Sequence, residues 1–206
     1  MSAHVKAATE WMTNGHLIAD CYRLNYLRDT DHVLDPTYGQ GRWWKVWRPG
    51  KLTWHNRDLD GTDFRSLQYL DGTFDAIGYD PPYVCVGGRT TTGISDMHNA
   101  YGMADAPRTP ALLQDLINDG LTEMHRLVKS TGIVVVKCQD YISSGRLWVG
   151  THHTLTHAIA LGFEPVDRLE HVSGLRPQPP GRRQVHARRN LSTLFVLAKD
   201  RWVDRP

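Results

Sequence analysis

Short runs of consecutive apolar residues alternate along the chain with longer stretches in which apolar residues return every third or fourth position. Residues 31–35 (DHVLD), 51–55 (KLTWH) and 74–79 (FDAIGY) read as strands; Pro36 and a glycine loop end the first, and Pro81-Pro82 end the third. Residues 40–47 predict a helical turn or two before Pro49 and Gly50 stop it. Across 110–130, Leu112, Leu113, Leu116, Ile117, Leu121, Met124, Leu127 and Val128 follow the spacing of an amphipathic helix. Gly132 then precedes an unbroken run, Ile133-Val134-Val135-Val136-Lys137, that fits a strand buried on both faces of a parallel sheet. A second helix is predicted over 148–161, ended by Gly162, and strands over 163–172 and 191–198. The alternation predicts an α/β fold of three layers, α/β/α, within a single domain spanning 1–206. The last two strands have no helix between them and are expected to form an antiparallel pair at one edge.

Two segments stand outside this pattern. Residues 84–109 are polar, with Gly87, Gly88, Gly93 and Gly102 and a Thr90-Thr91-Thr92 run; connections of that length are usually lids or binding loops. Residues 173–190 contain Pro177, Pro179, Pro180 and five arginines, and no acidic residue lies between Glu170 and Asp200. The chain as a whole has 24 Lys+Arg against 22 Asp+Glu, a formal net charge of +2. That balance excludes a histone-like binder but hides one basic patch, in which Arg182, Arg183, His186, Arg188 and Arg189 are candidate phosphate contacts. Cys21, Cys85 and Cys138 are too few and too scattered for a disulfide framework or a zinc site, which points to a reduced, cytoplasmic protein. The first twenty residues carry no apolar signal segment, and no run approaches the roughly 18 apolar residues of a membrane span. No membrane or metal partner is therefore expected.

Two motifs carry the candidate chemistry. In Val33–Gly41 (VLDPTYGQG) a strand ends at Asp35 and is followed by Gly39 and Gly41, which let backbone approach a ligand; a tight strand-to-helix turn reads the same way. In Asp80-Pro81-Pro82-Tyr83 two prolines hold a carboxylate and a carbonyl rigid at the carboxyl edge of the sheet, where open α/β folds bind ligands. Asp80 and the Pro81 carbonyl can each accept a hydrogen bond from an exocyclic amine, and Tyr83 offers a face to a planar base. His153 and His157 have metal-ligand spacing without a third ligand and read as a helix face, and Trp43, Trp44 and Trp47 read as core. Cys85 reads as a bystander, and Lys137 either touches a substrate or neutralises Asp140.

Together, DPTYGQG and DPPY, in that order and each at a strand end, resemble the S-adenosylmethionine (SAM) dependent amino-methyltransferases, the DPPY-type DNA methyltransferases of the adenine-N6 and cytosine-N4 class. The resemblance implies a Rossmann-like, seven-stranded fold with a closing antiparallel strand, read here at 191–198. It implies SAM as cofactor, with Asp35, Pro36, Thr37, Gly39 and Gly41 against its amino-acid part. The family's acidic ribose ligand is replaced here by Asn56, and Asp63 and Phe64 take the place of the loop against the adenine, Asp63 for its amine and Phe64 for its face. Asp80, Pro81, Pro82 and Tyr83 match the catalytic motif. The implied reaction is direct methyl transfer to the exocyclic amine of adenine, less readily of cytosine, in DNA flipped out of the helix. An RNA amine is the alternative acceptor; a non-catalytic nucleic-acid-binding subunit is disfavoured by the intact DPPY. With no separate recognition domain, the resemblance implies a short or loose target, as in compact enzymes of phages and mobile elements.

Overall fold

The computed structural model describes residues 5, 8–9, 13–56, 60–82, 85, 107–172, 183–187 and 189–200. The strands are β1 (Ala8–Thr9), β2 (His32–Asp35), β3 (Lys51–Trp54), β4 (Phe74–Tyr79), β5 (Val128–Cys138), β6 (Tyr141–Ser143), β7 (Arg146–Trp148), β8 (Glu164–Val172) and β9 (Leu191–Ala198). Among the described residues, the helices are α1 (Asn14–Arg23), α2 (Pro110–Leu127) and α3 (Gly150–Leu161), with a 3-10 turn at Arg42–Trp44. Seven strands form one sheet in the order β1-β8-β9-β5-β4-β2-β3, and β6 and β7 form a separate hairpin. Only β9 runs against its neighbours, β5 and β8; the pairs β1·β8, β4·β5, β2·β4 and β2·β3 are parallel. The predicted α/β class and closing antiparallel strand are both present.

Period-two alternation explains the three layers. Leu34, Ile77, Val134, Val136 and Leu197 face α2 and α3, whereas Val33, Ala76, Ile133, Val135 and Val196 face α1 and the tryptophans. Apolar residues at both parities leave neither face of the central strands in water, as the unbroken IVVVK run requires. Thr109 starts α2 by accepting the Leu112 N–H on its side chain at 3.2 Å, with Pro110 in the first turn. The helix approaches β4 most closely at Gly120, where a Cβ would collide with the Tyr79 hydroxyl and stand 2.7 Å from the Phe64 ring.

The structure departs from the sequence reading in several details. The apolar pattern does not announce α1, because the side it buries mixes Leu17, Ile18, Ala19 and Cys21 with Gly15 and Asp20. Trp148 belongs to the β6–β7 hairpin rather than to α3; Ser144 and Gly145, both at positive φ, make the two-residue turn. The seventh strand of the sheet is the two-residue β1, added beside β8. Residues 40–47 make one 3-10 turn, and no helix lies between β2 and β3. Most of the 84–109 and 173–190 segments lies outside the described residues. Among the described residues, no helix is long and apolar enough to cross a membrane.

Gly120→Ala should force α2 off β4 and lower the unfolding free energy by about 1–3 kcal/mol, the usual range for overpacking a filled core. Chemical denaturation checks this; an unchanged midpoint would mean the Tyr79–Phe64 contact is not tight.

Candidate active site

β3 lies on one side of β2 and β4 on the other, so the chain leaves β2, adds β3, and crosses back over β2 to make β4. That reversal creates a crevice at the carboxyl ends of β2 and β4, the place where open parallel sheets receive ligands. Asp35 closes β2 and Asp80 follows β4, so the fold brings the two motifs to this one point. Thr37 joins them. Its backbone N–H donates to Asp35 Oδ1 at 2.9 Å, its hydroxyl donates to the same oxygen at 3.4 Å, and that hydroxyl accepts the Asp80 N–H at 2.9 Å.

Asp35 is 3% exposed, and its second oxygen accepts the Trp44 indole N–H at 2.6 Å. Burial pushes its pKa up to about 7, with the Asp80 charge adding to the push, while the bonds from Trp44 and Thr37 pull the other way. Both oxygens are used within the chain, so Asp35 shapes the loop. The loop itself is tied to β3: the Tyr38 N–H donates to the His55 carbonyl at 3.0 Å, the His55 N–H to the Asp35 carbonyl at 2.9 Å, and Asn56 Nδ2 to the Gly39 carbonyl at 2.9 Å. Tyr38 also stacks on Trp54, with centroids 4.6 Å apart. Gly41 sits at φ 62°, and a Cβ there would lie 2.5 Å from the Tyr38 ring, so the turn demands glycine on two counts.

Asn56, placed by the sequence reading at a ribose, thus holds the glycine loop through its amide nitrogen. Beyond it His55 lies between Asp60 Oδ2 at 3.1 Å and the Tyr69 hydroxyl at 2.8 Å. Slight burial raises the pKa of Asp60, but bonds from Thr62, Asn56 and His55 outweigh it and hold the group at about 2. Asp63 is partly exposed and carries Arg65 on both oxygens. Phe64 corrects an expectation: it is 8% exposed, packs edge-on against Tyr79 with centroids 5.6 Å apart, and so belongs to the core rather than offering an open face to an adenine. An apolar phenyl ring gains more from α2 and β4 than from a wet edge.

Asp80 follows Gly78 by two residues and emerges on the α1 face. Trp43 and Trp44 lie over Gly78, where a Cβ would meet their rings at 3.0–3.3 Å. Burial raises the Asp80 pKa, and the Lys137 ammonium and the Trp43 indole N–H draw it back. Asp80 Oδ1 and Trp43 Nε1 are enclosed without forming a hydrogen bond. Lys137 is 2% exposed at the end of β5 and donates to Asn14 Oδ1 at 2.7 Å. Asp140 is not its counter-ion: that carboxylate accepts the Thr151 N–H at 3.0 Å and its hydroxyl at 2.7 Å, starting α3. Pro81 and Pro82 follow at the crevice, whereas Tyr83 lies outside the described residues.

β8 runs parallel to β5, so the connection from β8 to β9 leaves the sheet at the same edge as Asp35 and Asp80. Arg183, His186 and Arg189 in it are exposed; Arg182 and Arg188 lie outside the described residues. Cys85 is buried with its thiol directed to the Pro107 carbonyl at 3.4 Å. His153 stacks on Trp148 and His157 meets the Thr122 hydroxyl at 3.1 Å. Among the described residues, no group of three or more metal-ligating side chains is found. Sequence reasoning missed Asn14 and the two indole N–H groups. No local pattern signals them, because each depends on a partner far along the chain or on the turn's path in space.

No protein-family model and no curated protein matches the chain. Solved structures do. TrmN from Thermus thermophilus superposes with a TM-score of 0.51 at 16% identity, over 89% of this chain and 48% of that one. TTHA0409, a proposed DNA modification methylase from the same organism solved with S-adenosyl-L-methionine, gives 0.49 at 14% identity, over 85% and 58%. A SAM-dependent methyltransferase from Methanosarcina mazei gives 0.48 at 10% identity, over 86% and 96%. The likeness to TrmN shows a shared fold. The chain spans about half the length of TrmN and of TTHA0409.

Asp35 predicts a pH dependence. Its proton is held more tightly in the folded chain, up to about 7, than at the ordinary value of 3.8, so the folded state binds more protons between those limits. The stability contributed by Asp35 should be full below about pH 4 and be lost as pH rises to about 7, and Asp35→Asn should flatten that decline while losing one buried acceptor. Thermal denaturation across this range checks it; identical slopes in both proteins would remove Asp35 as the cause.

Proposed function

We propose that this chain is a SAM-dependent methyltransferase that methylates the exocyclic amine of adenine in DNA, with cytosine as the lesser target. The observation that carries the reading is the meeting of DPTYGQG and DPPY at the carboxyl ends of adjacent strands, bridged by the Thr37 hydroxyl. SAM fits what is present. Two carboxylates, Asp35 buried and Asp80 partly buried, each with its proton affinity raised, flank the glycine-containing turn, a setting that favours a cationic ligand. Thr37, Gly39 and Gly41 would hold its amino-acid part, on a loop whose path Asp35 and Pro36 set. Asn56 would serve the ribose and Asp63 the adenine amine.

Bound there, the sulfonium supplies an activated methyl group. The chain's own residues do the rest. Asp80 accepts one N–H of the target amine and the Pro81 carbonyl accepts the other, which turns the nitrogen lone pair toward the methyl carbon. Pro82 denies the backbone any alternative path, so this geometry is set before the substrate arrives. The carboxylate also stabilises positive charge growing on nitrogen, and its raised proton affinity suits it to take the proton the product sheds. Tyr83 supplies stacking for the base that has left the helix. The Arg182, Arg183, His186, Arg188 and Arg189 segment would hold the phosphate backbone at the same edge.

Nucleoside mass spectrometry of DNA and RNA from a methylation-deficient bacterial host tests the reading. Wild-type protein should add methyladenine to DNA and Asp80→Ala should add none. A mark in RNA alone would replace the substrate, and no mark in either pool would overturn the reading. In binding assays, replacing Arg183 and Arg189 together by Ala should weaken duplex binding and make the salt dependence shallower. The slope of log affinity against log salt should fall by about one for each phosphate the variant no longer neutralises. An unchanged slope would move the DNA to another surface.

A further inference from the structure

Alternation along β4 and β5 places Asp80 and Lys137 on the α1 face, one residue beyond the paired positions Tyr79 and Val136. Lys137 is almost fully enclosed, a costly position for an ammonium, and its Nζ is bonded to Asn14, the first residue of α1. Asp80 Oδ1 is enclosed too, as is the Trp43 indole N–H, and neither forms a hydrogen bond. We propose that Lys137, pinned by Asn14, is the positioning residue that keeps the Asp80 carboxylate charged and turned so that its other oxygen meets the incoming amine.

This inference rests on the methyl-transfer reading. The charge arrangement supports it: burial favours protonated Asp80 and neutral Lys137, and each offsets the other. Among the described residues, the groups that face the pair are few. Asp35 comes from β2, Cys138 is the neighbour on β5, Asn14 and Trp43 are neutral, and β9 brings Leu194 opposite Lys137. Lys137 is therefore a cation set against the Asp80 carboxylate at the crevice. Without it, burial and repulsion from Asp35 would both drive a proton onto Asp80, and a protonated Asp80 no longer draws charge from the amine.

The test follows the Asp80 carboxyl by NMR in 13C-labelled full-length protein, assigned with Asp80→Asn, alongside calorimetric SAM binding. Lys137→Met keeps the stem and removes the charge; it should raise the Asp80 titration midpoint by at least about one pH unit. Asn14→Ala keeps the charge and frees its anchor, and should move the midpoint the same way by less. SAM affinity should change by less than about twofold in both, and the acid limb of the kcat profile should shift with the midpoint while KM for SAM holds. A folded Lys137→Met protein whose Asp80 midpoint stays within about 0.3 unit of wild type overturns the proposal. If that variant does not fold, an unmoved midpoint in Asn14→Ala overturns it instead. A wild-type protein that neither binds SAM nor transfers methyl groups overturns the functional reading alone, because the titration is read on the free protein.

Discussion

Two carboxylates at the ends of adjacent strands, Asp35 buried and Asp80 partly buried, are the constraint around which this chain is arranged. Asp35 and Asp80 repel one another, and burial disfavours the charge on each. Their cost is offset by the Thr37 amide and hydroxyl and the Trp44 indole within the loop after β2 and, for Asp80, by the Lys137 ammonium from β5. Remove the sheet reversal between β2 and β4 and Asp80 would no longer meet Thr37 and Asp35. The same reversal opens the crevice, so the feature that makes the site possible also imposes its desolvation.

That desolvation explains the abbreviated connection after β2. A doubly wound sheet ordinarily covers this region with a full helix. Here a single 3-10 turn brings Trp43 and Trp44 down onto Gly78, and the indoles do two jobs. Their rings seal the α1 face of β4, the Trp44 N–H bonds to Asp35, and the Trp43 N–H is enclosed beside them without a partner. A longer helix would present a row of aliphatic side chains in their place and leave Asp35 Oδ2 without its donor. The tryptophan cluster is therefore core, as its spacing suggests, and part of the site's support as well.

The arrangement separates the roles of the two acids. Asp35 has both oxygens committed to the chain and acts through the loop it shapes. Asp80 has one oxygen enclosed beside Trp43 and is followed by two prolines that cannot bend away. For the proposed methyl transfer that division is apt: one carboxylate would hold the cofactor loop in place, and the other would meet the amine. Asn14 extends the support to α1, so a helix on the outer layer helps set the charge state of a residue at the centre.

The strands at 74–79 and 191–198, the amphipathic α2 and the order of the two motifs can be read directly, because hydrophobic period and proline or glycine punctuation are local properties of the chain. The positions of Asp35 and Asp80 at strand ends follow from the same local rules. Which groups surround them does not. Phe64 looks available to a ligand until α2 closes over it at Gly120, and Lys137 looks ready to pair with Asp140 until that acid proves to start α3. Asn14 lies 123 positions from Lys137, and no periodicity links them. Sequence determines where the chain turns and which face of each strand is apolar; only tertiary packing decides which polar groups share a dry space, since that depends on strand order rather than on neighbours along the chain.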